Sequence, residues 1–159
     1  MTAHRQAIAL LSLVGVFIAV YLWLHRAGVI GALSCGASGG CETVQTSSYA
    51  VMLGLPVPAY GVAGYGMLLG LSLLGLHPRW RGARGVTPAL VSLATVGFAY
   101  TLYLTYLELF VIRAVCRWCV GSAVVMTAIW VIAMMGMRAA RAGAGSGQRS
   151  ETVHGGPPL

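Results

Sequence analysis

Lysine is absent from this chain, and acidic side chains are limited to Glu42, Glu108 and Glu151. With 8% of its 159 residues charged against 58% hydrophobic, and a mean hydropathy of +0.81, it is too apolar for a soluble domain of this size. The composition is that of a membrane protein. Its formal charge of +7 rests on arginine alone, and the arginines stand at the ends of apolar runs without forming a patch interleaved with aromatics. They read as topology signals, and a nucleic-acid partner is excluded. No repeat of fixed period runs along the chain.

Four apolar runs are present. Gln6–His25, Pro58–Leu76 and Trp118–Met137 carry no Arg, Lys, Asp or Glu, and Pro88–Ile112 carries only Glu108. About 20 residues, at a rise of roughly 1.5 Å each, cross the roughly 30 Å hydrocarbon core. The expected fold is an all-α integral membrane protein, a four-transmembrane-helix bundle with helices at about 6–25, 58–76, 88–112 and 117–137. A loop with a short amphipathic half-helix fills 26–57, and the Gly-, Ser-, Arg- and Pro-rich tail 138–159 is expected to be disordered and cytoplasmic. His4, Arg5 and the first run, with Ala32-Leu33-Ser34 after it, also resemble a cleaved signal peptide. The run exceeds the roughly 7–15 residues of a signal core, so it is read as a retained helix.

Orientation follows from the arginines. With a cytoplasmic N-terminus, that side holds Arg5, Arg79, Arg81, Arg84, Arg138, Arg141 and Arg149, against Arg26, Arg113 and Arg117 opposite. The positive-inside rule therefore predicts both termini in the cytoplasm. All four cysteines, Cys35, Cys41, Cys116 and Cys119, then lie on the extracytoplasmic side, where disulfides persist.

The pair Cys116-Arg117-Trp118-Cys119 opens the last run. A helix starting there puts both sulfurs on one face of its first turn, where the dipole and free N–H groups favour a thiolate. An electron-exchanging pair, a static disulfide and half of a metal site all satisfy this spacing. Cys35-Gly-Ala-Ser-Gly-Gly-Cys41 forms a second, flexible pair. A disulfide closing so short a ring restrains the unfolded chain by only about 2–2.5 kcal/mol, so a shuttle competes with a staple as its explanation. Residues Glu42–Leu53 are expected to form an amphipathic lid helix, with Val44, Tyr49, Val51 and Met52 available to its apolar side, stopped by Gly54 and Pro56. Gly66 and Gly70 in the second run are spaced for close helix packing. Thr101, Thr105 and Glu108 share one helix face; Glu108 is either a functional membrane carboxyl or a side chain reaching the interface.

The ordered set of motifs resembles the bacterial branch of the vitamin K epoxide reductase family: Cys-x5-Cys, then Val44 through Ser47 to Tyr49-Ala50, Gly54-Leu-Pro56 leading to Gly61 and Tyr65, and a final Cys-x-x-Cys. The resemblance spans about residues 6–137. It implies a helical bundle around an extracytoplasmic quinone pocket that serves oxidative protein folding. By position, Cys116 and Cys119 match the active-site pair, with Cys119 the thiolate beside the quinone, and Cys35 and Cys41 match the shuttle pair. Ser47 matches a family serine that positions quinone or loop, and Tyr65 and Glu108 are further candidates for cofactor binding. Many bacterial members carry a fused thioredoxin-like domain, and this sequence ends without one; the implied partner is a separate thioredoxin-like (DsbA-like) protein. The implied acceptor is menaquinone or ubiquinone, with no metal. Animal members have an Asn before the second helix and a Tyr one turn after the catalytic cysteine, where this chain has Val57 and Ala123, so a plain quinone is expected in place of the epoxide. Two rivals are a DsbB-type quinone-linked oxidase, whose two cysteine pairs come in the reverse order, and a four-thiolate membrane metal-binding protein.

Overall fold

The computed structural model describes residues 2–31, 35, 39–79 and 85–154, with side chains between residues 3 and 142. The small-residue stretch Ala32-Leu33-Ser34, residues 36–38 of the Cys35–Cys41 ring and the loop arginines Arg81 and Arg84 lie outside the described residues. Five helices are described: α1 (Thr2–Arg26), α2 (Gly40–Thr46), α3 (Val57–Leu76), α4 (Val86–Tyr106) and α5 (Arg117–His154). Four spans are long and apolar enough to cross a membrane: Ala3–Arg26, Val57–Leu76, Val86–Ile112 and Arg117–Ala142. The protein is an all-α membrane bundle.

Helix α1 packs on α3 and α5, and α4 packs on the same two, closing a four-helix ring. Its core includes Ile8, Ala19, Tyr65, Leu68, Leu90, Ala94, Met126 and Ile129. The close approach of α1 to α3 depends on Gly15, because a Cβ there would overlap the Tyr65 ring. Gly66 and Gly70, the pair expected to mediate packing, have open space where a Cβ would stand. Spacing alone identified a small-residue stripe but not the face it occupies. At the end of the bundle carrying the N-terminus, the buried Arg5 guanidinium donates to the Gly75 carbonyl and, at 3.2 Å, to Thr87 Oγ1. One arginine thus joins α1, α3 and the start of α4.

Two elements differ from expectation. Helix α5 continues to His154, through most of the segment assigned to a disordered tail. Ala139, Ala140, Arg141 and Ala142 are strong helix formers, and extending an existing helix avoids the nucleation cost that an isolated segment meets. The lid helix, expected over Glu42–Leu53, is shorter. It ends at Thr46, gives way to a 3-10 turn at Ser48–Ala50, and continues as a hairpin pairing β1 (Val51–Met52) with β2 (Leu55–Pro56). Leu53 and Gly54 form the tip with φ of 51° and 81°, the left-handed pair that a two-residue hairpin demands.

Candidate functional site

At the end of the bundle opposite Arg5, α4 changes pitch. Residues Leu107–Ile112 form a π turn, which ends where Arg113 adopts a left-handed φ of 53° and the N–H groups of Arg113 and Ala114 both donate to the Glu108 carbonyl. Short π segments inside helices recur at functional sites. Glu108 lies within this one and is only 7% exposed. Its Oε2 accepts from the Cys116 N–H at 3.4 Å, just ahead of α5, and its carboxylate is hydrogen-bonded to the Cys119 thiol. The charged side chain touching the inner cysteine pair is therefore a carboxylate; Arg113 and Arg117, which flank the pair in sequence, are exposed.

The two inner cysteines are free thiols with different surroundings. Cys116 is fully buried, whereas Cys119, one turn along α5, is part-exposed on a cavity wall. The Cys119 thiol donates to the Cys116 sulfur and, helped by the N–H groups of Cys119 and Trp118 at the helix start, holds the Cys116 thiol below its ordinary value. Burial and the Glu108 charge oppose this shift. In this reduced arrangement the Cys119 thiol is the donor and the Cys116 sulfur the acceptor.

The outer pair is joined as a Cys35–Cys41 disulfide with Cα atoms 6.0 Å apart. Cys41 opens α2 and packs in one cluster with Val44 and Cys116, which Cys35, Trp118 and Cys119 border. Gly40 makes this docking possible, since a Cβ there would stand 2.5 Å from the Val115 carbonyl oxygen. Two contacts from the end of α1 hold α2 in place. Arg26 donates to the Gln45 carbonyl at 3.0 Å, and His25 Nε2 lies 3.4 Å from Glu42 Oε2.

Beneath α2 the four long helices line an open-sided cavity of about 680 Å³, within the range of ordinary small-molecule sites. Its wall is mostly aliphatic, with Ile18, Leu22, Leu104 and Val120 among the lining side chains. Tyr60, Tyr100, Thr101, Glu108 and Cys119 also line it. A flat, largely apolar ring with two carbonyl oxygens fits such a lining. Val57 and Ala123, both apolar, border this space.

Of the remaining candidates, Ser47 lines the cavity, but its hydroxyl donates to the Val44 carbonyl at 2.8 Å and ends α2. The Tyr65 hydroxyl, also on the wall, lies 2.9 Å from both the Ser122 carbonyl and the Ser122 hydroxyl, joining α3 to α5. Sequence reasoning missed the anchoring of the hairpin by Tyr60, which donates to the Met52 carbonyl at 2.8 Å, and by Tyr100, which donates to Met52 Sδ at 3.3 Å. It also missed Gly40, whose role depends on a backbone distant in sequence.

A membrane-embedded bundle that brings a disulfide, a dithiol and an apolar cavity together at one end has the build of a membrane thiol–disulfide oxidoreductase. The family model described as Vitamin K epoxide reductase family matches residues 6–134, and the chain belongs to that family. Membership makes it an oxidoreductase of the membrane, linked to quinone and acting on disulfides.

Proposed function

We propose that this protein is a thiol oxidase of the cell membrane that carries electrons from a separate thioredoxin-like, DsbA-like protein to menaquinone or ubiquinone, supporting disulfide formation outside the cytoplasm. The observation that carries this reading is the continuous line of groups from Cys35 to the cavity: Cys41 packs with Cys116, and Cys119 opens on the wall. Sidedness is supported by the arginines. Arg5 and Arg79 stand at one end of the bundle, and Arg26, Arg113 and Arg117 stand with the cysteines at the other.

The partner's thiolate attacks the Cys35–Cys41 disulfide at Cys35, the less buried sulfur, forming a mixed disulfide and releasing Cys41 as thiolate. Cys41 attacks Cys116 of an oxidised inner pair and displaces Cys119. A second partner thiol resolves the first mixed disulfide, and Cys35 then re-forms the outer disulfide with Cys41. The inner pair is left as two thiols, and two electrons have moved inward. Quinone supplies the final two-electron acceptor chemistry. The chain contributes a mostly apolar wall, a thiol on it, and a helix start that favours ionised Cys116. A plain quinone is the acceptor, because Val57 and Ala123 offer no side-chain donor to an epoxide oxygen. Bonding of Cys35 to Cys41 also weighs against a four-thiolate metal site, which needs all four sulfurs free.

The test is reconstitution. Purified protein mixed with a reduced thioredoxin-like protein and a soluble ubiquinone or menaquinone analogue should form quinol and oxidised partner in equal amounts. Partner oxidation without quinol would refute the acceptor, and the absence of both would refute the function.

A further inference from the structure

Converting two thiols and a quinone into a disulfide and a quinol moves two protons as well as two electrons, and at this site Cys116 and Glu108 are buried. The proton on Cys119 faces two acceptors: the Cys116 sulfur and the Glu108 carboxylate. Glu108 also reaches the cavity wall, so one carboxylate touches both the thiol and the space in which the quinone ring fits. Other titratable groups facing this region are poorly placed for the task. Cys41 is tied into a disulfide, Glu42 is exposed beside His25, and Arg113 and Arg117 point outward. Tyr60 and Tyr100 on α3 and α4 are committed to Met52.

A structural explanation also exists for Glu108, since a carboxylate accepting from the Cys116 N–H caps the start of α5. Capping alone does not require a buried position against a reactive thiol, nor the π turn that holds it there. An exposed Asp or Ser ahead of the helix caps as well without burying a charge.

Resting on the reading of the protein as a thiol–quinone oxidoreductase, we infer that Glu108 is the proton carrier between the Cys119 thiol and the bound quinone. Its carboxylate takes the Cys119 proton, leaving a thiolate at the cavity wall. The Cys116–Cys119 bond forms, two electrons pass to the quinone, and Glu108 delivers its proton to one quinone oxygen, returning to the carboxylate. The second quinone oxygen takes its proton from water, balancing the proton that Cys116 lost when it ionised.

Glu108→Gln separates the two roles, because the amide oxygen still accepts from the Cys116 N–H but the side chain no longer takes a proton. Quinol formation driven by dithiothreitol is measured over a range of pH for wild type and variant, using a short-chain ubiquinone analogue. The variant should be slower by about 10²-fold or more, with a rate that rises with hydroxide concentration where wild type is flat. A folded variant that matches wild type in rate and pH profile overturns the proposal and leaves the quinone-linked function intact. An inactive wild type defeats the functional reading, and this inference with it. Should Glu108→Gln fail to fold, Glu108→Ala with added formate decides: a rate that climbs and saturates with formate supports proton carriage, and no rescue overturns it.

Discussion

Cys41 packs with Cys116 while exposing about 1% of its own surface, and Cys116 exposes none. The contact couples a loop disulfide to a helix-start thiol that solvent does not reach. Thiol exchange at such a position is selective by construction, since the nearby sulfur comes from the protein's own loop.

That coupling predicts a separation of donors. Replacing Cys35 or Cys41 by Ala should abolish oxidation of a thioredoxin-like partner while sparing oxidation of dithiothreitol, a small dithiol that reaches the inner pair through the part-exposed Cys119. Gly40→Ala should give a milder version of the same phenotype. Its Cβ meets a backbone oxygen that cannot step aside, so α2 shifts at a cost of about 1–3 kcal/mol. Partner-driven turnover should fall by about tenfold for each 1.4 kcal/mol of lost alignment. Equal loss with both donors in a folded variant would remove α2 from the relay.

The arginine distribution predicts that a membrane-impermeant thiol reagent labels the reduced loop pair in cells stripped of any outer barrier. Labelling that needs an opened cytoplasm would reverse the orientation and place the relay in a reducing compartment.

Ionisation of Cys116 predicts a pH signature. Its thiol is held below the ordinary value of about 8.5 by the Cys119 hydrogen bond, so the group binds fewer protons folded than unfolded. The associated stability is complete above the unfolded value and is lost as pH falls through the lower folded one. With Cys35 and Cys41 both replaced by Ala, so that Cys116 stays a free thiol, thiolate absorbance should titrate accordingly, and adding Cys119→Ala, which removes the donor, should move the Cys116 midpoint upward. An unchanged midpoint would assign the shift to the helix start alone.

Much of this was legible in the sequence because it is written in composition and order. Four apolar runs gave the spans to within a few residues at most ends, since bilayer thickness fixes helix length. The four cysteines announced themselves by spacing and context. Glu108 was legible only as a membrane carboxyl with two explanations, because its burial depends on the π turn at Leu107–Ile112, and nothing in Leu-Glu-Leu-Phe-Val-Ile signals a change of pitch. The lid was drawn too long for a related reason. Ser47 closes α2 with its own hydroxyl, and Leu53 takes a left-handed φ that few sequences assign to leucine. Gly40 and Gly15 matter through backbone and ring atoms far along the chain, which no local pattern reveals.

The central claim is that electrons enter the inner pair through Cys41 and leave through Cys119. In Cys119→Ala the Cys116 thiolate attacks Cys41 of the outer disulfide and releases Cys35, and the thiol that would resolve the resulting Cys41–Cys116 mixed disulfide is gone, so that bond should persist. Peptide mass spectrometry of this variant, purified after blocking free thiols, reads the linkage directly. The account predicts a peptide joining Cys41 to Cys116, with Cys35 free or bonded to the partner. A peptide joining Cys35 to Cys116, or an intact Cys35–Cys41 disulfide beside an unlinked Cys116 after exposure to reduced partner, would contradict it.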